Sequence, residues 1–288
     1  MQENTRPHQD INLTPARRAW LNILDLPRPT HVMYALLEVD VTAARTFIAA
    51  HKALTGESLS FTGYLAACLA RAVEENKEVQ AYRKGFRQLT LFDEIDVGLM
   101  LERQIGEKRV LTGYVIQSAN RKTYRQIHAE IRAAQAAPVD PNEEMPGWFL
   151  SMMLLPWPLS RIVKALFGWV ARRDPTIPVS MTGTVGITAV GMFGKGHSGW
   201  GFEVTRHSLD LVVGSITWKP AVVDGRIEPR EILNLTVVFD HDVIDGAPAA
   251  RFTGRLVELV ESGYGLEQAE SQTEFDTEPG AVHAAVPA

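Results

Sequence analysis

Residues 184–262 place three runs of strand formers in succession and close on an amphipathic helix. The runs are TVGITAV (184–190), SLDLVVGSITW (208–218) and ILNLTVVFD (232–240), and the helix spans about 247–262. Long strands in sequence, followed by a helix with one apolar face, need a shared sheet on which to bury that face. The N-terminal part adds elements of both kinds. HVMYALLEVDV (31–41) is rich in strand formers, and Thr42 is placed to cap a helix over about 43–54. Ser60 opens a helix over 60–77, and Lys122 to Ala137 carries Tyr124, Ile127, Ile131 and Ala134 on one stripe. Strand-like runs lie between them at 87–93, 95–103 and 109–117. This pattern predicts an α+β sandwich around one large sheet, with its topology left open.

Thr14-Pro15 reads as the start of a short helix that runs to about Leu26 and is ended by Pro27 and Pro29. The expected organisation is a loose N-terminus (1–14), one domain (15–262) with an apolar insertion at 145–178, and an acidic disordered tail (263–288). A net charge of −5 lacks the basic surplus of nucleic-acid binders. The polar start MQENTRPHQD gives no secretory leader, and no apolar run is long enough to span a membrane, so the cytoplasm is the expected location. The single cysteine, Cys68, lies in the apolar run YLAACLARAV and reads as a buried thiol. One cysteine, and histidines without ligand spacing, give no metal site. KGHSGWG (195–201) is glycine-rich but lacks the strand-to-helix setting of a phosphate loop.

The segment with chemistry is FDHDVIDGAPAARF (239–252). It places His241 at a strand end, where a fixed imidazole facing a cavity can act as a general base. Asp245 follows four residues on and needs an arginine or backbone N–H partners if it is buried. Gly246 permits a left-handed backbone or a close approach. On spacing alone, His241 is equally a residue that merely caps its strand, with the aspartates as solvated turn residues.

This segment resembles the active-site motif His-x-x-x-Asp-Gly of the dihydrolipoyl acyltransferase catalytic domains of 2-oxo acid dehydrogenase complexes. These belong to the chloramphenicol acetyltransferase-like superfamily. TVGITAVGMFG (184–194) resembles the family strand that carries its active-site serine or threonine. VGSITWKPAVVDGRIEPREILNLTVVFDH (213–241) resembles the hairpin leading to the histidine, and 31–47, 60–77, 95–102 and 121–136 follow in family order. The resemblance implies a large mixed sheet with helices, assembled as a homotrimer. It implies that His241 takes the proton of a coenzyme A or lipoyl-type thiol, and that Thr188 donates to the oxyanion. It makes Asp245 a structural residue that pairs with Arg18 (or Arg17), with Gly246 in support. It also implies that His241 of one subunit meets Thr188 of the next. His31, at the start of the first strand, could line the site.

Three departures bear on substrate. No lipoyl group or carrier domain is expected on this chain, so acyl-CoA, or an acyl carrier or dehydrogenase-complex protein on another chain, would supply the acyl group. Asp242 stands where arginine is common in the family, and its charge should disfavour a nearby thiolate. The apolar stretch 148–173 reads as extra core, a subunit contact or a membrane-surface helix. The acidic tail replaces the apolar end that joins trimers, so an isolated trimer is expected. Two other readings compete with acyl transfer. One is a non-catalytic scaffold on the same trimeric fold. The other, ranked last, is a half-size relative of peptide-synthetase condensation domains.

Overall fold

The computed structural model describes residues 12–13, 21, 31–105, 108–137, 151, 155, 159–190 and 197–267. The expected helix at 15–26, Arg17 and Arg18, most of 138–158, and the tail beyond 267 lie outside the described residues.

Among the described residues, eight strands follow in chain order: β1 (Val32–Asp40), β2 (Tyr82–Lys84), β3 (Gln88–Thr90), β4 (Val97–Ile105), β5 (Lys108–Ile116), β6 (Val185–Ala189), β7 (Leu209–Val223) and β8 (Arg226–Asp240). Six form one sheet in the order β1-β8-β7-β6-β4-β5, and β2 and β3 form a separate two-stranded ribbon. β6 runs parallel to both β4 and β7, and the other pairs in the large sheet are antiparallel. The sheet is therefore mixed, as expected. The run read as a strand over 87–93 contributes only the three residues of β3. β7 and β8 are each longer than their runs of strand formers. Asp224 (φ 49°) and Gly225 (φ 76°) join them in a tight two-residue turn, the backbone that Asp-Gly favours.

Among the described residues, six α-helices accompany the sheet: α1 (Thr42–Thr55), α2 (Phe61–Glu75), α3 (Tyr124–Ala136), α4 (Leu159–Arg173), α5 (Thr176–Thr182) and α6 (Gly246–Glu261). Ser60 caps α2 by accepting from the Gly63 N–H, and Thr123 with Gln126 forms a capping box on α3. Thr42 does not cap α1. Its hydroxyl accepts instead from the Glu231 N–H, which ties the helix start to β8.

Helices α1, α2, α3 and α6 share one core with the inward residues of the sheet, including Ile187, Leu211, Val237 and Phe239. Tyr64 of α2 is fully buried and donates to the Val260 carbonyl at 2.6 Å. Phe239 meets Phe252 edge-on at 5.8 Å. Cys68 is buried here, and burial pushes its thiol up to about 12, so it is an inert packing residue.

The other sheet face carries a cross-strand row of Leu36, Thr236, Val212 and Thr188. Residues 198–202 cross this face. Trp200 Nε1 donates to the Leu37 carbonyl (3.0 Å), and Thr236 Oγ1 donates to the Gly201 carbonyl (2.9 Å). Phe202 packs edge-on against Tyr34. Tyr34, Leu36, Phe202 and Val204 remain about half exposed.

Glu57, in the loop after α1, ties α1 to α3. It bonds His51 of α1 (3.2 Å) and both Arg125 (2.5 Å) and His128 (3.0 Å) of α3. His128 Nδ1 accepts from the Ser60 N–H, so in the neutral ring Nε2 carries the proton and donates to Glu57. Burial would raise the Glu57 pKa, but the bonds from Arg125, His51 and His128 overcome it and hold the carboxyl near about 2. A depressed acid stabilises the fold above its unfolded value and loses that contribution as pH falls through its folded value. Glu57→Gln should therefore flatten the loss of thermal stability between about pH 4.5 and 2. Melting curves across that range check this, and a slope equal to that of the native protein would refute it.

Candidate active site

His241 lies one residue beyond β8, and its N–H donates to the His31 carbonyl at 2.7 Å, which extends the β1–β8 ladder by one step. The turn behind it closes on Asp240, whose carbonyl accepts from the N–H groups of Val243 (3.0 Å) and Ile244 (3.2 Å). The Asp240 side chain accepts from the Asp242 N–H at 3.0 Å. Strand end and turn thus fix the His241 backbone on both sides.

The ring is fixed as well. His241 Nδ1 lies 3.1 Å from the Ile244 carbonyl oxygen. A carbonyl only accepts, so Nδ1 carries the proton and, in the neutral ring, Nε2 presents a lone pair. The side chain is 46% exposed, so that lone pair is reachable. This is the tautomer and exposure that a general base requires.

Asp245 precedes α6 as its N-cap residue, with its carboxylate 3.9 Å from His241 Nδ1 and its side chain 89% exposed. Its expected partner Arg18 lies outside the described residues. Gly246 begins α6 without a left-handed backbone, and among the described residues nothing lies within 4 Å of an ideal Cβ there. Neither reason given for this glycine from sequence operates in the described structure.

Asp242 is tied up rather than aimed at the base. It accepts from His31 Nδ1 (2.7 Å) and from Arg83 of β2 (2.6 Å). The His31 bond, followed by that of Arg83, holds its carboxyl below the usual range. The charge that raised doubt over a nearby thiolate is thus paired with a cation, and His31 lines the histidine turn through this contact.

Thr188 sits on β6, opposite Val212, which is opposite Thr236 on β8. His241 lies five residues beyond Thr236, so Thr188 is about 10 Å across the sheet and about 16 Å along it from His241. Within one chain the two do not meet.

Thr188 belongs to a polar cluster that sequence reading missed. Its Oγ1 hydrogen-bonds Glu203 Oε2. Beside it, Asp210 of β7 binds His207 Nδ1 (2.6 Å) and the Thr205 hydroxyl. Burial works against the His207 cation, but the charge and hydrogen bond of Asp210 prevail and raise its pKa, which favours an imidazolium–carboxylate pair. Residues 188, 203, 205, 207 and 210 match no catalytic spacing. The one sequence signal was Gly186, which faces Asp210 across the β6–β7 ladder and leaves the pair its space.

Residues 170–266 match the family model for 2-oxoacid dehydrogenases acyltransferase (catalytic domain). Over that segment the chain is similar to the catalytic domain of the 2-oxoacid dehydrogenase acyltransferases. It is 37% identical over 81 residues to the lipoamide acyltransferase component of the branched-chain alpha-keto acid dehydrogenase complex of Bacillus subtilis. It is 37% identical over 84 residues to the dihydrolipoyllysine-residue acetyltransferase component of the pyruvate dehydrogenase complex of Zymomonas mobilis. These matches cover 28% and 29% of this chain and 19% of each relative, so the chain spans about a fifth of their length. The likeness of fold extends beyond the matched segment. The dihydrolipoamide acetyltransferase of Azotobacter vinelandii superposes with a TM-score of 0.60 at 18% identity, covering 91% of this chain and 94% of that one. A probable dihydrolipoamide acetyltransferase from Listeria monocytogenes gives 0.58 at 20% identity, covering 88% and 95%.

Proposed function

We propose that this chain transfers an acyl group between coenzyme A, or a lipoyl-type thiol carrier, and an acceptor, with His241 as general base. The observation that carries this reading is the bond from His241 Nδ1 to the Ile244 carbonyl, which leaves Nε2 to accept a thiol proton. The Azotobacter structure was determined to study a serine, a histidine and an asparagine in the catalytic mechanism of that enzyme. There the asparagine follows the histidine by the same interval as Asp245 follows His241, and the serine precedes it at nearly the interval of Thr188.

In the proposed reaction, Nε2 takes the proton from the attacking thiol and the thiolate adds to the acyl carbonyl. The tetrahedral oxyanion accepts a hydrogen bond from Thr188. Collapse expels the second thiolate, which recovers the proton from the imidazolium. Asp245 holds the histidine turn by pairing with Arg18, with Gly246 at the start of the helix behind it. The acyl group comes from acyl-CoA or from a carrier on a separate chain.

His241 and Thr188 stand too far apart within one chain, so the site is assigned to a contact between subunits of a homotrimer. The half-exposed Tyr34, Leu36, Phe202 and Val204 share the Thr188 face, which suits burial against a second copy. Helix α4 would supply any membrane-surface contact, with Leu159, Ile162, Leu166 and Trp169 exposed along one stripe and Arg161, Arg172 and Arg173 on the same helix. Among the described residues, no helix is long and apolar enough to cross a membrane.

The test is complementation. His241→Ala and Thr188→Val proteins, each inactive alone, are co-expressed and assayed with acyl-CoA and dihydrolipoamide. Random trimers should regain native pairing at about one site in four. No recovery from well-folded trimers would refute the shared site. If the native protein neither binds coenzyme A nor transfers any acyl thioester, the scaffold reading holds instead.

A further inference from the structure

A threonine hydroxyl has one proton and can aim it at one acceptor. That of Thr188 faces Glu203 Oε2. An ionised carboxylate only accepts, so it takes the hydroxyl proton and leaves none for an oxyanion. A carboxylic acid can donate to Oγ1, which turns the hydroxyl proton outward. The heavy-atom positions serve both directions.

The surroundings favour the acid form on geometry. Among the described residues, Glu203 Oε1 is buried with no hydrogen-bond partner, a costly state for a full carboxylate. The other carboxylate of the cluster, Asp210, already holds both the His207 ring and the Thr205 hydroxyl. Among the described residues, the charged groups facing Glu203 are Asp210 on β7 and His207 just before that strand, while the Thr188 hydroxyl faces it from β6. Burial, then the Asp210 charge, pushes the Glu203 carboxyl up to about 7, against the pull of Thr188 and His207.

We propose that Glu203 is a positioning residue that switches the oxyanion donor: protonated, it frees the Thr188 hydroxyl to donate to substrate, and ionised, it captures that hydroxyl. This rests on the reading of Thr188 as the oxyanion donor. It gives the reaction an upper pH limit that does not belong to the histidine. His241 must lose its proton to act as base, whereas Glu203 must keep its own.

The experiment measures kcat and KM against pH for transfer from acetyl-CoA to dihydrolipoamide. It compares native protein with Glu203→Gln and Thr188→Val. Native kcat should fall tenfold per pH unit above about 7, towards the Thr188→Val level about 10²–10³-fold below the maximum. The Gln amide can donate to Oγ1 at every pH. Glu203→Gln should therefore keep its plateau and exceed the native rate at least tenfold near pH 9, with KM unchanged. In native protein the Glu203 carboxyl, followed by carbon-13 NMR, should titrate near 7, a readout that needs no folded variant. A falling limb kept in Glu203→Gln while Thr188→Val is slow would overturn the switch alone, as would titration of the carboxyl near its ordinary value. A Thr188→Val protein at native rate would remove the oxyanion reading, and the switch with it.

Discussion

Acyl transfer by a His241→Ala protein is expected to fall about 10²–10⁴-fold, the usual worth of a positioned general base. The fold should survive the change. The link of residue 241 to β1 runs through its backbone N–H, which alanine keeps. The ring is 46% exposed, and its neutral hydrogen bond is to the Ile244 carbonyl. Stability should shift by less than about 0.5 kcal/mol, as for surface positions generally. Thiol release from acyl-CoA and a melting curve on the same preparation separate the two effects. Native transfer by a folded variant would remove His241 from the chemistry.

A large loss of stability is expected for Gly186→Ala. A Cβ at that position would overlap Asp210 Oδ1 and come within 2.7 Å of His207 Nδ1. Asp210 is 2% exposed, and β6 is held by ladders to β4 and β7, so neither side can give way easily. Parting a buried ion pair costs about 3–5 kcal/mol. Urea unfolding should show a lower midpoint at an unchanged slope, the sign of lost stability in a two-state transition. A midpoint within error of the native one would mean that the pair has room the structure denies it. Because Asp210 lies against Glu203, the same substitution should also disturb transfer.

The two predictions differ in how much of their basis the sequence discloses. The histidine turn was legible because its constraint is local. A strand end, a polar turn and a helix start lie within a few residues, and the motif survives as a run. The long hairpin was legible for the same reason, with Asp-Gly marking its turn. The cluster of Thr188, Glu203 and Asp210 was not legible. It forms only when the crossing segment lies on the sheet face, and KGHSGWGFEVTRH carries no period that announces that crossing. Thr42 failed as a cap because a distant partner, the Glu231 N–H, took its hydroxyl. Asp242 was misjudged because its partners come from residues 31 and 83. In each case the deciding contact was tertiary.

One consequence of the β7–β8 pairing concerns its far end. β1 leaves β8 at Ile232, and Val41 and Thr42 fasten the chain at Glu231. The remaining rungs, from Lys219 with Arg230 to Val223 with Arg226, belong to two strands that, among the described residues, pair with no third strand. Val222 and Ile227 there are 75% and 79% exposed. A lone pair of strands is barely self-sufficient in water, and Pro220 and Pro229, which face each other across the pair, each withdraw an amide N–H from these strands. Each margin of the tip is therefore interrupted where a further strand would need a donor, which lets the hairpin reach out from the sheet without recruiting a neighbour.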